Sequence, residues 1–204
     1  MKSAVILAGG KSTRMGIDKC TVLFHGKPLI CWPYNVIKNV VDEVLFSVSI
    51  NRETTALREY FDKKVGIVID EKPDLGPISG ILASFRKAKG EYVALAPCDS
   101  PLIKIELYLR LFEIAKGHDG AVPLINAFWE PLHGVYKREA MIKAIEKILS
   151  EGKSRPLDTY KYLNIRELTE EEIKDFDPKL VSFVNINSLK DLVKASSILI
   201  KSRN

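Results

Sequence analysis

Glutamine is absent from this chain of 204 residues, tryptophan occurs twice, and cysteine, methionine and histidine occur three times each. The three cysteines, Cys20, Cys31 and Cys98, are too few and too widely spaced for a disulfide framework or a cysteine-rich metal site. They fit the reduced thiols of a cytoplasmic protein. No apolar run is long enough to span a bilayer. The N-terminus passes at once from a strand into glycines and lacks the pattern of a signal peptide, so a cytoplasmic location is expected. Internal repeats, low-complexity stretches and linker-like segments are all missing, which predicts a single domain with one shared core. Lysine, glutamate and isoleucine stand where glutamine does not, a composition common in heat-adapted proteins.

What is present suits a globular chain: 46% of residues are hydrophobic and 28% charged. The formal net charge is +5, which raises nucleic-acid binding as one class of function. The lysines and arginines are scattered among acidic residues, however, with no basic helix and no basic–aromatic alternation. The excess therefore reads as a solvated surface plus a site for anions, with neither nucleic acid nor membrane as a partner.

Strand-like and helix-like segments alternate through the first half. Residues 3–8, 44–50, 65–69 and 92–96 read as strands, and 28–39, 52–63, 78–88 and 104–116 as helices, the first opened by Pro28. In the second half, 121–124, 132–136 and 181–184 read as strands, with helices at 138–150 and 189–202. A further short strand and helix lie between them. This βαβ order predicts an α/β protein with a mainly parallel sheet and helices on both faces. Ligands of such sheets sit at the carboxyl ends of the strands. The segments after strands at residues 8, 50, 69 and 96 can then face one crevice.

The richest of those segments is Leu7-Ala8-Gly9-Gly10-Lys11-Ser12-Thr13-Arg14-Met15-Gly16-Ile17-Asp18-Lys19. Two glycines after a buried strand let backbone N–H groups approach a ligand, and three cations follow, Lys11, Arg14 and Lys19. That combination suits a polyphosphate. It is not a P-loop, because Val5 stands where that motif needs its first glycine, and it is not the dinucleotide fingerprint, because Gly9-Gly10-Lys11 breaks the spacing.

The pattern Leu7 to Gly10, Arg14-Met15-Gly16 and Asp18-Lys19 resembles the molybdenum cofactor guanylyltransferases of the MobA type, within the nucleotide-diphospho-sugar transferase-like superfamily. Four more segments match in order: Gly26-Lys27-Pro28-Leu29, Gly76-Pro77-Ile78-Ser79-Gly80, Pro97-Cys98-Asp99-Ser100-Pro101 and Phe183-Val184-Asn185-Ile186-Asn187. The resemblance thus spans nearly the whole chain. It implies a Rossmann-like three-layer α/β/α sandwich with a mainly parallel mixed sheet. It divides one nucleotidyltransferase domain, 1–204, into a nucleotide-binding half at about 1–117 and an acceptor-binding half at about 118–204. The reaction it implies moves GMP from GTP onto molybdenum-bound molybdopterin, giving the guanine dinucleotide cofactor and pyrophosphate. Target molybdoenzymes or their chaperones are the macromolecular partners that this reading admits. The alternatives in the same superfamily are a molybdopterin cytidylyltransferase and an adenosylcobinamide-phosphate guanylyltransferase. Outside it stand a nucleotide-binding regulator without catalysis and a nucleic-acid-binding protein.

The chemistry implied needs no protein nucleophile, since the acceptor phosphate attacks the α-phosphate itself. Positioning and cations do the work. Asp99, held between Pro97 and Pro101 after a buried strand, is the expected Mg²⁺ ligand, with a second ligand from Asn185 or from substrate oxygens. Arg14 and Lys19 are the expected catalytic cations on the phosphates, with Asp18 orienting Lys19. The GTP site expected from the resemblance takes in Leu7, Ala8, Gly9, Gly10, Lys19, Asn51, Asp70, Gly80 and Asp99. Guanine offers N–H donors, so Asp70 and carbonyls near Leu7 and Gly80 are the expected acceptors. Gly76-Pro77-x-x-Gly80 is similar to the guanylyltransferase pattern, and that resemblance implies guanine over cytosine. For the acceptor, Arg155 and Asn185 are expected to bind, while Asn187, which also matches the motif, precedes a helix start at Ser188 with Asp191 three places on. Trp129 is a candidate for stacking on a pterin, although packing is the commoner role of a lone tryptophan. His25 and His133 read as core or surface residues.

Overall fold

The computed structural model describes residues 1–8, 19–49, 60–61, 65–70 and 72–201, with the backbone alone at Lys19 and Pro73. Its centre is β1 (Lys2–Leu7), whose residues from Ser3 onward are buried on both faces. A run of that kind belongs in the middle of a parallel sheet. Two parallel neighbours flank it, β4 (Glu43–Ser49) on one side and β6 (Tyr92–Pro97) on the other. The register sets Leu7 opposite both Ser47 and Pro97. Outside β4 lies β5 (Gly66–Asp70), also parallel, with Ser49 opposite Asp70.

On the far side of β6 the sheet becomes mixed. The strand β9 (Val135–Lys137) runs antiparallel to β6 and to β7 (Gly120–Ile125), and β10 (Ile165–Thr169) pairs parallel to β7 at the other edge. A short strand β8 (Phe128–Trp129) folds back on β7 through Asn126 and Ala127, both at positive φ as a two-residue hairpin turn requires. The C-terminal ends of β1, β4, β5, β6, β7 and β10 and the N-terminal end of β9 therefore share one edge of the sheet.

Period-two alternation along each strand divides the core. Val5, Leu7, Leu45, Val93 and Leu95 point to the face covered by α2 (Pro77–Lys87) and α4 (Arg138–Ser150), through Ile78, Ile81, Phe85, Met141, Ile145 and Ile148. Ala4, Ile6, Phe46, Val48, Ala94 and Ala96 point to the opposite face. There α1 (Cys31–Ile37), α3 (Ile105–Ile114) and α5 (Glu170–Lys174) supply Ile37, Leu107, Leu111 and Ile173. The result is the three-layer α/β/α sandwich with a mixed, mainly parallel sheet that the sequence implies. Full burial of side chains such as Phe85 or Leu107 contributes about 1.5–3 kcal/mol each. A third apolar cluster, Phe24, Leu29, Leu102, Ile186 and Ala195, fastens the last helix, α6 (Leu189–Lys201), to the small hairpin of β2 (Leu23–Phe24) and β3 (Lys27–Pro28). Among the described residues no helix is long and apolar enough to cross a membrane.

Three expectations are corrected. Pro28 does not open a helix. It pairs with Leu23 across a turn made by His25 and Gly26, at φ 48° and 76°, and the helix starts only at Cys31. Residues 181–184 are not a strand. Val181–Phe183 form a 3₁₀ turn because the buried Asp177 carboxylate accepts from Val181 N at 3.1 Å and Ser182 N at 2.9 Å, after Leu180 has turned into the left-handed region at φ 51°. Of residues 132–136, only 135 and 136 are strand, because Pro131–His133 make a separate 3₁₀ turn. The helix expected at 52–63 lies outside the described residues but for Tyr60 and Phe61.

Candidate active site

The shared edge begins at the end of β1. Ala8 N donates to Ser47 O at 2.8 Å, and Cys98 N donates to Leu7 O at 3.2 Å, so the ends of β1, β4 and β6 are tied together. Gly9, Gly10, Lys11, Arg14 and Asp18 lie outside the described residues, as does Asn51. The chain re-enters at the 3₁₀ turn Lys19–Thr21, where buried Cys20 sits with its Sγ 3.6 Å from Ala8 O and 2.8 Å from Cys98 Sγ. Both flanks of residues 9–18 are thus anchored against the same strand end, next to Asp99.

On the β5 side, Asp70 is buried, and its Oδ1 accepts Lys72 N at 3.0 Å. The next helix begins at Gly76, whose φ of 73° suits glycine and lets Pro77 take the first helical position. Its first turn brings Gly80 against the strands. A Cβ at Gly80 would lie 2.6 Å from Ser47 Oγ and 3.3 Å from Asp70 Oδ2. Glycine is needed there because helix and sheet meet without room for a methyl group. The structure therefore brings Leu7, Ala8, Asp70, Gly80 and Asp99 to one edge. One oxygen of Asp70 is engaged in a local turn.

At the end of β6, Asp99 is half-buried, and its carbonyl accepts Ile186 N at 2.8 Å. The adjacent Ser100 is fully buried, and its Oγ donates to Asn185 Oδ1 at 2.5 Å. The same Oγ lies 3.2 Å from His133 Nε2. The segment carrying Asn185 is thus laced to the segment carrying Asp99 by a backbone and a side-chain hydrogen bond. His133, at the end of the 3₁₀ turn before β9, is 1% exposed, with the Phe183 ring tilted against it at 5.2 Å between ring centres. Burial pushes its pKa down to about 4, so the imidazole is neutral at pH 7. Its Nδ1 has no hydrogen-bond partner and lies 3.8 Å from Glu130 Oε2, a carboxyl that burial pushes above its ordinary pKa.

Other expected acceptor residues are placed differently. Asn187 N donates to Asp191 Oδ2 at 3.0 Å, while Ser188 Oγ accepts from Asp191 N at 3.3 Å, so Ser188 and Asp191 form the helix start read from the sequence. Arg155 forks onto Asp158, with Nη2 to Oδ1 at 2.9 Å and Nε to Oδ2 at 3.2 Å, and holds that carboxyl below the usual range. Arg155 pairs with Asp158 and not with Asn185. Trp129 packs edge-on against Tyr160 at 5.0 Å and donates its Nε1–H to Glu167 Oε1 at 3.0 Å. Beside it Phe128 is 74% exposed at the hairpin tip.

His133 is a core residue, one of the two placements expected for it, whereas its link to Ser100 leaves no trace in the sequence: Ser100 stands within Pro97–Pro101 with no role given to it, and the two are 33 positions apart.

For a divalent ion the donor set is lean. The described residues contain no group of three or more His, Cys, Asp or Glu placed to hold a metal. Among the described residues two carboxylates lie at this edge, Asp99 and Asp70, and one oxygen of Asp70 is taken by Lys72 N. That fits Mg²⁺, which takes one or two carboxylates and fills its remaining positions with phosphate oxygens and water. It does not fit an all-protein cage.

Residues 4–164 match a family described as the MobA-like NTP transferase domain. A Methanosarcina mazei protein named "Probable molybdenum cofactor guanylyltransferase" is 34% identical over 198 residues, covering 94% of this chain and 88% of that protein. A Pseudomonas entomophila molybdenum cofactor guanylyltransferase is 35% identical over 142 residues, 68% of this chain and 72% of that protein. Among solved structures, the molybdopterin-guanine dinucleotide biosynthesis protein A of Archaeoglobus fulgidus superposes with a TM-score of 0.79 at 29% identity, covering 98% of this chain and 100% of that one.

Proposed function

Because the chain belongs to the MobA-like NTP transferase family, we propose that it is a molybdenum cofactor guanylyltransferase, transferring GMP from GTP to molybdopterin carrying molybdenum and releasing pyrophosphate. The names of its relatives support this reading over most of the chain. The observation that carries it is the joint at Asp99 and Ser100. There the strand end expected to meet the triphosphate is hydrogen-bonded to the segment expected to meet the acceptor.

In the reaction an oxygen of the acceptor's phosphate attacks the α-phosphorus of GTP. The bond from that phosphorus to the bridging oxygen of the β-phosphate breaks, and pyrophosphate leaves with the electron pair. Two anions must be held in line, so the residues act by placing and neutralising charge. The N–H groups of Gly9 and Gly10, after β1, meet the triphosphate, with Arg14 and Lys19 as its cations, while Ala8, whose N–H is given to Ser47 O, lines the strand end beside them. The carbonyl of Leu7 and the region of Asp70 and Gly80 receive the guanine donors. Asn51 belongs to the same nucleotide side. Asn185, with Arg155 and Asn187 as further contacts, holds the acceptor. Asp99 holds a divalent ion, Mg²⁺ by its donor type, which when bound offsets charge on the phosphates. The division of labour is then a nucleotide-binding half at about 1–117 and an acceptor-binding half at about 118–204.

The test is turnover of GTP with molybdenum-loaded molybdopterin, read as pyrophosphate release and as the mass of the dinucleotide formed. Release with GTP and this acceptor supports the reading. Release only with another acceptor places the chain elsewhere in the family.

A further inference from the structure

Asn185 is the side chain of the acceptor segment that meets Ser100. A side-chain amide can present either an oxygen, which accepts hydrogen bonds and ligates metals, or an NH₂, which only donates. Which of the two faces the crevice decides what Asn185 can bind.

The hydrogen bonds around Ser100 settle the question. The Asn185 amide turns its oxygen, Oδ1, to Ser100, and Ser100 Oγ donates to it. Having given its one proton to Asn185, the hydroxyl must accept from His133 Nε2, 3.2 Å away. This fixes the imidazole with its proton on Nε2 and leaves Nδ1 bare. It agrees with the surroundings of Nδ1, a buried atom without a partner. An unpaired N–H buried there would cost more than an unpaired ring nitrogen. The opposite arrangement would need an Nδ1–H donating to Glu130 Oε2, and 3.8 Å is too long for that bond. The Nδ2 of Asn185 is not among the buried atoms that lack a partner, and it has no partner among the described residues. Nδ2 is therefore not buried, and its two hydrogens are free to donate.

We infer that Ser100 and His133 are positioning residues that lock the Asn185 amide with its NH₂ toward the crevice. Asn185 is then a hydrogen-bond donor to an anionic oxygen of the acceptor, a phosphate oxygen by class, and not a ligand of the metal. This deepens the proposed function and rests on its placing of the acceptor beside Asn185. Donors to a charged oxygen are worth more than neutral pairs, and their value depends on being pre-aimed. The second metal ligand, if any beyond Asp99, must then come from substrate oxygens.

Two measurements test the inference. The first is the histidine tautomer, from long-range proton–nitrogen correlation on ¹⁵N-labelled protein at pH 7, with His133 assigned by its loss in His133→Gln. The expected state has the proton on Nε2 and a bare Nδ1. A proton on Nδ1 would reverse the relay, turn the amide oxygen outward and overturn the inference. The second is acceptor kinetics. Ser100→Ala should raise the acceptor KM about tenfold while the KM for GTP stays near the parent's; the melting temperature falls as well, because the buried His133 Nε2–H and Asn185 Oδ1 lose their partner. Asn185→Asp, which puts a carboxylate oxygen where the NH₂ was, should be at least as impaired. A Ser100→Ala protein that melts lower with unchanged acceptor KM makes Ser100 a fold contact only, and parent-like kinetics of Asn185→Asp make Asn185 a ligand by oxygen; either result overturns the inference. If the parent fails to use molybdopterin at all, the proposed function is what fails. The relay is then decided by the tautomer and by the Asn185 NH₂ signals on titration with inorganic phosphate, which should shift in the parent and stay still in Ser100→Ala.

Discussion

Gly80 offers the sharpest mechanical test of the nucleotide side. Replacing it with alanine places a methyl carbon 2.6 Å from Ser47 Oγ and 3.3 Å from Asp70 Oδ2. The first contact is shorter than any real Cβ tolerates, so Ser47 or the helix must give way. The helix itself gains about 1 kcal/mol from alanine over glycine. Overpacking of one carbon in a tight core costs about 1–3 kcal/mol. The net expectation is a loss of up to about 2 kcal/mol, or several degrees in melting temperature for a chain of this length. The larger effect falls on the site. Asp70 ends β5 and Ser47 lies near the end of the adjacent parallel β4, and a shift of a few tenths of an ångström there disturbs the proposed guanine contacts. The KM for GTP should rise several-fold, with the acceptor KM unchanged. The double variant Ser47→Gly/Gly80→Ala removes the offending oxygen and should recover most of the GTP affinity. Thermal melting and steady-state titration of each substrate make the comparison. Gly80→Ala with parental GTP affinity and an equal or higher melting temperature would refute the argument that close helix–strand approach shapes the nucleotide site.

Asp99→Asn should keep the fold and lower turnover about a hundredfold, as loss of one charge-placing group typically does; near-parental turnover at saturating Mg²⁺ would remove Asp99 from the metal site. Lys19→Ala should weaken triphosphate binding and slow transfer together, with guanosine binding unaltered; parental GTP kinetics would displace it from the phosphates. His133 carries a pH signature. Its folded pKa of about 4 lies below the ordinary 6.5, so between those values the unfolded chain holds a proton the folded chain lacks. Its contribution is complete above pH 6.5 and is lost as pH falls toward 4, amounting to about 2 kcal/mol by pH 5. Glu130, whose carboxyl is raised by burial, titrates nearby with the opposite sign, so the comparison must be between parent and His133→Gln by urea unfolding at pH 7 and pH 5. A variant that loses as much stability on acidification as the parent would contradict the assignment.

Much of this architecture is written locally. The unbroken apolar run Ala4 to Leu7 can only be a strand buried on both faces, and the turns after β5 and β6 put Asp70 and Asp99 at its carboxyl edge. The misreadings share one cause, a tertiary or turn contact that outweighs local pattern. Pro28 suits a first helical turn, but Gly26 closes a hairpin first. Val181 to Val184 have strand composition, but the Asp177 carboxylate winds them into a turn. At the site, residue types after strand ends are legible, whereas the tie between Ser100 and Asn185 spans 85 positions and leaves no periodicity to read. Arg155 looks like a free cation in sequence, yet it sits three residues before a carboxylate that takes its fork.

The central claim is guanylyl transfer to molybdopterin. Pyrophosphate release with molybdenum-loaded molybdopterin, compared for GTP, CTP and ATP at equal concentration, tests it most directly. Guanine's donors facing the proposed acceptors near Leu7, Asp70 and Gly80 should favour GTP about ten- to a hundredfold, since an unpaired buried acceptor costs about 1–3 kcal/mol. The product should carry the mass of the guanine dinucleotide. A preference for CTP, or release with GTP only when a different phosphorylated acceptor is supplied, would contradict it.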